Sequence, residues 1–418
     1  MPKALETAQR YGAVVIALED AQRTVLSQCP PLRPVSVALA DAVGRVLAAD
    51  VVAPEDVPPF DNSALDGYAV LAADLTGGPA ELQVVDEVAA GDASSVHLKA
   101  GQAIRIMTGA PMPDGADAVV MVEHSEMVGD GVVRLEPPGG APLPAGTAVR
   151  NAASDVRTGD TVAPAGTVVT PAVLGTLASV NARRLHVYPA ARVAVMSTGD
   201  ELVSDGGELG PGQIRESNLV MLEALLIDAG CQVTNLGVIG DDETAVEAAL
   251  GDAVGRHDAI VTSGGVSMGE YDVVKAVLGR IAEMEWMQIA IRPAKPFAFG
   301  RLGDVPIFGL PGNPVSSLVS FELMARPCLR RMMGFPRLAR TSVVAITDEA
   351  IERRPDGKVH FDRVYGTFAD DGRYHVRWVG AQGSHQLAAT ALADALAVVP
   401  DGDGLAAGDE VAVLLLQD

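Results

Sequence analysis

The sequence predicts a multidomain α/β plus β protein, with a central, mostly parallel α/β sheet domain, a β-rich domain before it and a small β-barrel domain after it. Three observations lead there. At 418 residues the chain is too long for one hydrophobic core, and length alone suggests roughly two to four domains. Between residues 189 and 330 apolar runs alternate with helical patterns, which implies repeated β-α-β units and a sheet covered on both faces. On either side the text breaks into short β-type runs divided by Gly, Pro and Asp turns.

Taken in order, residues 4–28 read as an amphipathic helix. The apolar stretch 13–18 within it is too short for a membrane span and is followed by acids, so no targeting segment is expected. From 55 to 145 the runs 82–85, 103–107 and 118–122 are separated by Gly-Asp, Pro-Asp-Gly and Gly-Asp-Gly turns, and the Pro/Gly stretch 137–146 closes this β-rich domain. In the α/β region, 193–196, 233–238 and 259–261 are strand candidates. Ser217-Asn218 is expected to cap a helix running to Gly230, and 243–254 and 272–281 are further helices. Residues 336–418 return to short strands with turns at Pro355-Asp356-Gly357, Asp371-Gly372 and Asp401-Gly402-Asp403-Gly404, as in a small barrel or sandwich.

Composition narrows the function classes. Aromatic residues are 4% of the chain while Gly (44) and Pro (27) are plentiful, so the core is mostly Val, Leu and Ala. A net charge of −23 repels nucleic acid and anionic membrane, and an anionic substrate would need local cations, backbone amides or a divalent metal. Cys29, Cys231 and Cys328 form no CxxC or Cys/His cluster, so neither a disulfide framework nor a zinc site is expected, and a reducing cytoplasm fits.

Ligands of a parallel α/β sheet bind where loops leave the carboxyl ends of strands. Here those loops are Ser197-Thr198-Gly199-Asp200-Glu201, Gly240-Asp241-Asp242, the segment from Thr262 through Gly264, Gly265 and Ser267 to Asp272, and Leu310-Pro311-Gly312-Asn313-Pro314-Val315-Ser316. Gly264-Gly265 and Gly312 to Ser316 combine glycine with hydroxyls before a helix, which suits a phosphate or oxyanion. Glu201, Asp241 and Asp272 converge from three loops, and clustered carboxylates beside a phosphate site suit Mg²⁺. Asp242 and Glu270 read instead as helix caps. Arg292-Pro293-Ala294-Lys295-Pro296 holds two cations on a stiff backbone, able to meet one small anion. The loop from Asp61 to Tyr68 carries Asp61 and Asp66, with Gly67 letting the backbone pass close to something. Thr108, in a tight turn, is either a ligand contact or a local hydrogen-bonding group. Protease, kinase and dinucleotide motifs are absent, and His385 reads as a loop histidine.

In order and spacing, the Asp61 loop, the Thr108 turn, Gly199-Asp200-Glu201, the Gly264 to Lys275 segment, Arg292 to Pro296 and Leu310 to Ser317 resemble the molybdopterin molybdenumtransferases. The resemblance implies an enzyme that takes adenylylated molybdopterin and molybdate, releases AMP and inserts molybdenum at the dithiolene sulfurs, with Mg²⁺ assisting. It implies catalytic roles for Asp61, Thr108, Glu201, Asp241 and Asp272, with Glu201, Asp241 and Asp272 at the metal. Gly264, Gly265, Ser267, Arg292, Lys295, Pro311, Pro314, Ser316, Arg363 and Ser384 would bind substrate, Ser267 at the adenylate phosphate and Arg292, Lys295, Ser316, Arg363 and Ser384 at molybdate or the pterin phosphate.

It further implies a central domain of molybdopterin-binding type (189–330), an inserted β-rich domain (55–145), a discontinuous linking domain (7–50 and 148–188) and a C-terminal barrel (336–418). The expected assembly is an elongated homodimer in which the Asp61 and Thr108 loops face the partner, with transient contact to molybdopterin adenylyltransferase. Two departures stand out. The family's Arg-x-x-Gly-Glu-Asp is Arg150-Asn151-Ala152-Ala153-Ser154-Asp155 here, and Ala294 replaces a glycine between the two cations. The competing readings are molybdopterin adenylyltransferase, for which the chain is too long, and a non-catalytic scaffold, for which the clustered acids have no use.

Overall fold

A computed structural model describes residues 15–265 and 273–417. The chain divides into two compact units. One gathers Gly44–Ala48 and Val187–Asp418 with the segment ending at Val35, and the other comprises Ser36–Val43 and Ala49–His186.

The first unit is built on a seven-stranded sheet of β1 (Val15–Ile16), β2 (Arg192–Thr198), β3 (Gln232–Ile239), β4 (Ala259–Ser263), β5 (Glu283–Ile289), β6 (Pro296–Leu302) and β7 (Val305–Leu310), in spatial order β1-β5-β6-β7-β4-β2-β3. β3, β2, β4 and β7 run parallel, as do β1 and β5, while β6 is antiparallel to both of its neighbours. Alternate residues on the central strands feed two cores, which is why these strands are apolar almost throughout. Val193, Val195, Val261 and Phe308 face one core; Ala194, Met196, Ile260 and Ile307 face the other.

Helices cover both faces. α1 (Leu18–Ser27) and α2 (Asn218–Asp228) pack on the first core through Ala21, Val25, Leu222 and Leu226. α3 (Glu243–Val254) and α4 (Val273–Ile281) pack on the second through Val246, Leu250, Val274 and Val277. α5 (Pro314–Ser320) follows β7. Of the expected helix over 4–28, residues 4–14 lie outside the described residues; Val15–Ile16 form a strand paired with Gln288 and Ile289, and a helix runs from Leu18 to Ser27. Its buried Ala21 and Val25 group it with the α/β core rather than with the linking segments. The same unit carries a closed five-stranded barrel of Ser342–Thr347, Val359–Phe368, Tyr374–Trp378, Ala395–Val399 and Glu410–Leu415, sealed by pairing of the second and fourth of these strands.

The second unit holds a six-stranded sheet in the order Ala118–Met121, Gly67–Val70, Gln102–Ile106, Ala80–Val88, Val132–Leu135, Ser125–Gly129. What Gly67 passes closely is its own sheet: a Cβ there would collide with the carbonyl oxygen of Val120 on the adjoining strand. Cys29, Cys231 and Cys328 are buried and free, and burial pushes the Cys231 thiol up to about 12. Among the described residues no helix is long and apolar enough to cross a membrane.

Candidate active site

The carboxyl ends of β2, β3, β4 and β7 come out at one sheet edge in register: Thr198 lies opposite Ile239, Ser197 opposite Ser263, and Ser263 opposite Leu310. The antiparallel β6 brings its amino end, Pro296, to the same edge. There the loops enclose a cavity of about 790 Å³, lined by Glu201 and Asp241, by Gly264 and Gly265, by Pro311 to Pro314, and by Arg215, Asn218 and His385.

Each loop is fixed by hydrogen bonds to the next. The Asp241 N–H donates to Asp200 Oδ1 at 3.0 Å, which sets Asp241 beside Glu201. Asn218 Nδ2 donates to Ser263 Oγ at 2.8 Å and to the Gly312 carbonyl at 2.7 Å, tying the glycine loop to the Pro311-Gly312 loop. The Gly264 N–H donates to the Leu310 carbonyl at 3.0 Å. Glycine at 265 is required by packing: with φ at +79°, an added Cβ would press into Val274 of α4. Gly265 and Val273, which flank the undescribed segment, both line the cavity. Ser267 and Asp272 lie outside the described residues, as does Glu270.

Helix α2 is capped differently from expectation. Ser217 makes no side-chain cap, and the Glu216 carboxylate instead accepts the Leu219 N–H at 2.9 and 3.0 Å and the Ser197 hydroxyl at 2.8 Å. Asp242 caps α3 as expected, accepting from Thr244 and Ala245.

Arg292 is exposed and Lys295 half-buried, and neither side chain lines the cavity; the adjoining Pro296 does. Between the two cations, Ala294 sits buried with φ at +74°. Ser316 is buried within α5 and also stands back from the cavity.

Arg363 departs from the expected anion contact. It is 1% exposed, and its guanidinium donates to the carbonyls of Ala381 (2.7 Å), Gly383 (3.3 Å) and Gln386 (2.9 Å), to Gln382 Oε1 (3.2 Å) and to Thr390 Oγ1 (3.3 Å). With every nitrogen engaged, Arg363 is the anchor of the 381–390 loop. That loop presents His385 to the cavity, so the loop histidine lies at the site after all.

In the second unit the Asp61 and Thr108 loops are brought together. Ser63 exchanges backbone hydrogen bonds with Gly109 and Ala110, and the Met112 N–H donates to the Asp61 carbonyl. Asp61 Oδ1 accepts the Ala152 N–H at 2.7 Å, holding the departing turn, where Ala153 takes φ of +57° in place of glycine. The Thr108 N–H (2.7 Å) and hydroxyl (2.8 Å) both donate to Asp66 Oδ1, and these bonds hold the Asp66 carboxyl below its usual range. Thr108 is thus a hydrogen-bonding partner of Asp66, across 42 residues of sequence.

The donor chemistry fits a hard divalent cation. Glu201 and Asp241 both line the cavity, each with a carboxylate. Two carboxylates with substrate phosphate oxygens and water form a set that Mg²⁺ accepts. No group of three or more such side chains is arranged for a metal among the described residues. The third expected ligand, Asp272, falls outside them.

Three family models match successive parts of the chain: the MoeA N-terminal region (domain I and II) at residues 16–181, the probable molybdopterin binding domain at 194–331, and the MoeA C-terminal region (domain IV) at 350–416. Molybdopterin molybdenumtransferase 2 of Mycobacterium tuberculosis is 41% identical over 383 residues, covering 87% of this chain and 93% of its own. Molybdopterin molybdenumtransferase of Haemophilus influenzae is 36% identical over 401 residues, covering 96% and 98%. The crystal structure of the molybdopterin biosynthesis MoeA protein of Pyrococcus horikoshii matches with a TM-score of 0.80 at 31% identity, over 97% of this chain and all of that one.

Proposed function

Since the chain belongs to the molybdopterin molybdenumtransferase family, we propose that it transfers molybdenum from molybdate into adenylylated molybdopterin with release of AMP. The observation that carries this reading is the cavity at the carboxyl edge of the parallel sheet. It brings two carboxylates, Glu201 and Asp241, together with two glycine loops, a combination suited to a phosphate held by backbone N–H groups and a divalent metal.

In this reading Glu201 and Asp241 hold Mg²⁺, with Asp272 as the further expected ligand. When bound, the ion offsets negative charge on the phosphoryl group. The protein positions rather than reacts: Gly264, Gly265, Ser267 and the Pro311 to Pro314 loop cradle the substrate, and Asn218 holds the Gly264 and Gly312 loops in place. Arg292, Lys295, Ser316 and Ser384 remain the proposed contacts for molybdate or the pterin phosphate. Arg363 fixes the loop that carries Ser384. Asp61 and Thr108 keep their proposed part in catalysis.

The free, buried cysteines suit a reducing compartment, and the proposed location is the cytoplasm. A homodimer is proposed as well. Val220 and Ile227, 68% and 60% exposed and seven residues apart on one face of α2, supply apolar surface for such pairing. Transient contact with molybdopterin adenylyltransferase, the source of the substrate, follows from the same reading.

Purified protein mixed with adenylylated molybdopterin and Mg²⁺ tests the reaction. AMP release that depends on molybdate, with active cofactor formed, is the expected result; failure to consume the substrate overturns it. Asp272→Asn is expected to lose AMP release with the fold intact.

A further inference from the structure

The cavity poses an electrostatic problem that the sequence motifs leave open. Glu201, Glu216 and Asp241 line it, the chain as a whole carries −23, and the side chains of Arg292, Lys295 and Arg363 do not reach its walls. Beyond backbone amides and the proposed Mg²⁺, a phosphate-bearing substrate there is favoured by a cationic side chain on the wall. Among the described lining residues one arginine or lysine is present, Arg215.

The backbone at Arg215 is fixed on both sides, while its side chain is exposed. Its short strand, Ile214–Arg215, pairs in parallel with Leu202–Val203, so that Arg215 lies opposite Val203 directly after the Glu201 loop. The Ile214 N–H donates to the Glu201 carbonyl at 2.8 Å and the Glu216 N–H to the Val203 carbonyl at 3.1 Å, which clamps the backbone on both sides. Neighbouring Glu216 is occupied by Ser197 and Leu219, and among the described residues Arg215 forms no ion pair.

We propose that Arg215 is a substrate-binding residue that receives a phosphate group, its planar fork meeting two phosphoryl oxygens. The guanidinium geometry suits phosphate better than a lysine would. This inference rests on the cavity being the substrate site. Two phosphates are available in that substrate, the adenylate phosphate and the pterin phosphate, and both present the same chemistry to Arg215.

The test compares wild type, Arg215→Ala, Arg215→Lys and the remote charge control Arg256→Ala. AMP and adenosine affinity are measured by calorimetry, and KM for adenylylated molybdopterin is measured in steady state. If Arg215 receives the adenylate phosphate, Arg215→Ala binds AMP about 10-fold more weakly, adenosine binding is unchanged, Arg215→Lys falls between, and Arg256→Ala matches wild type. If it receives the pterin phosphate, AMP affinity holds while KM rises about 10-fold. Unchanged AMP affinity together with unchanged KM, in a variant whose melting matches wild type, overturns the assignment. Wild-type protein that neither binds AMP nor consumes the adenylylated substrate overturns the proposed reaction itself, and Arg215 falls with it.

Discussion

The Val315 N–H, in the first turn of α5, donates to the Ser384 carbonyl at 3.1 Å, joining the Pro311 to Pro314 wall of the cavity to a loop that comes from the barrel. The other side of that loop is held by Arg363. Arg363→Lys keeps the charge and loses the fork, so several loop carbonyls go unmet at a local cost of roughly 3 kcal/mol. Amide exchange in residues 381–390 is expected to accelerate sharply while the rest of the barrel holds. A variant with the loop still protected but a higher molybdate requirement would return Arg363 to the anion-binding role its resemblance implies.

Glu216 is the next point where position and chemistry meet. Glu216→Ala removes the acceptor of both the Leu219 N–H and the buried Ser197 hydroxyl, with an expected loss of about 2 kcal/mol. Glu216→Gln, which retains one acceptor oxygen, is expected to lose less. Amide exchange across Asn218–Asp228 reads the difference, and equal protection in all three proteins would show that Ser217 takes over the cap.

These two cases mark the boundary of what the sequence discloses. Apolar runs separated by acid- and glycine-bearing loops have a local signature, so the strands at 192–198, 232–239 and 259–263, helix α3 and the loops around Glu201, Asp241, Gly264 and Pro311 were all legible. Side-chain partners set by tertiary folding were not. An arginine in a strand reads as a surface charge, and nothing local to Arg363 announces that residues 381–390 will wrap it. Thr108 and Asp66 meet only because their strands pair, and Arg215 gains meaning only when its strand is laid beside Val203. Val15 and Ile16 leave the expected helix because they find a partner strand more than 270 residues onward, an option periodicity alone does not weigh.

Ala294 carries a testable strain. At φ of +74° an L-residue with a Cβ is disfavoured by roughly 1–2 kcal/mol, while glycine there would return about 0.4–1 kcal/mol to the unfolded chain's entropy. Ala294→Gly is therefore expected to be stabilised by about 0.5 kcal/mol in urea unfolding. Ala294→Val, with a branched Cβ at the same angle, is expected to be strongly destabilised. A destabilised Ala294→Gly would show that the buried methyl group outweighs the backbone strain.

His375 gives the barrel a pH signature whose sign follows from its neighbours. Asp348 (2.7 Å) and Asp371 (3.1 Å) both bond its ring and raise its pKa above the ordinary 6.5. The imidazole in turn is the first cause holding Asp348 below its ordinary 3.8, and it adds to the Arg373 N–H in lowering Asp371. A raised histidine stabilises fully below 6.5, and its contribution disappears as pH climbs through the folded value. The lowered carboxylates stabilise above 3.8 and lose their contribution as pH falls through theirs. The barrel is thus expected to be firmest between those two ordinary values and to loosen toward alkaline pH. All three groups are solvated, so the effect is modest and weakens with salt. Amide exchange in Ser342–Thr347 and Tyr374–Trp378, compared between about pH 5 and 8.5, should fall to a flatter profile in His375→Gln once corrected for intrinsic exchange. An unchanged profile in that variant would mean that some other group sets the pH dependence of the barrel.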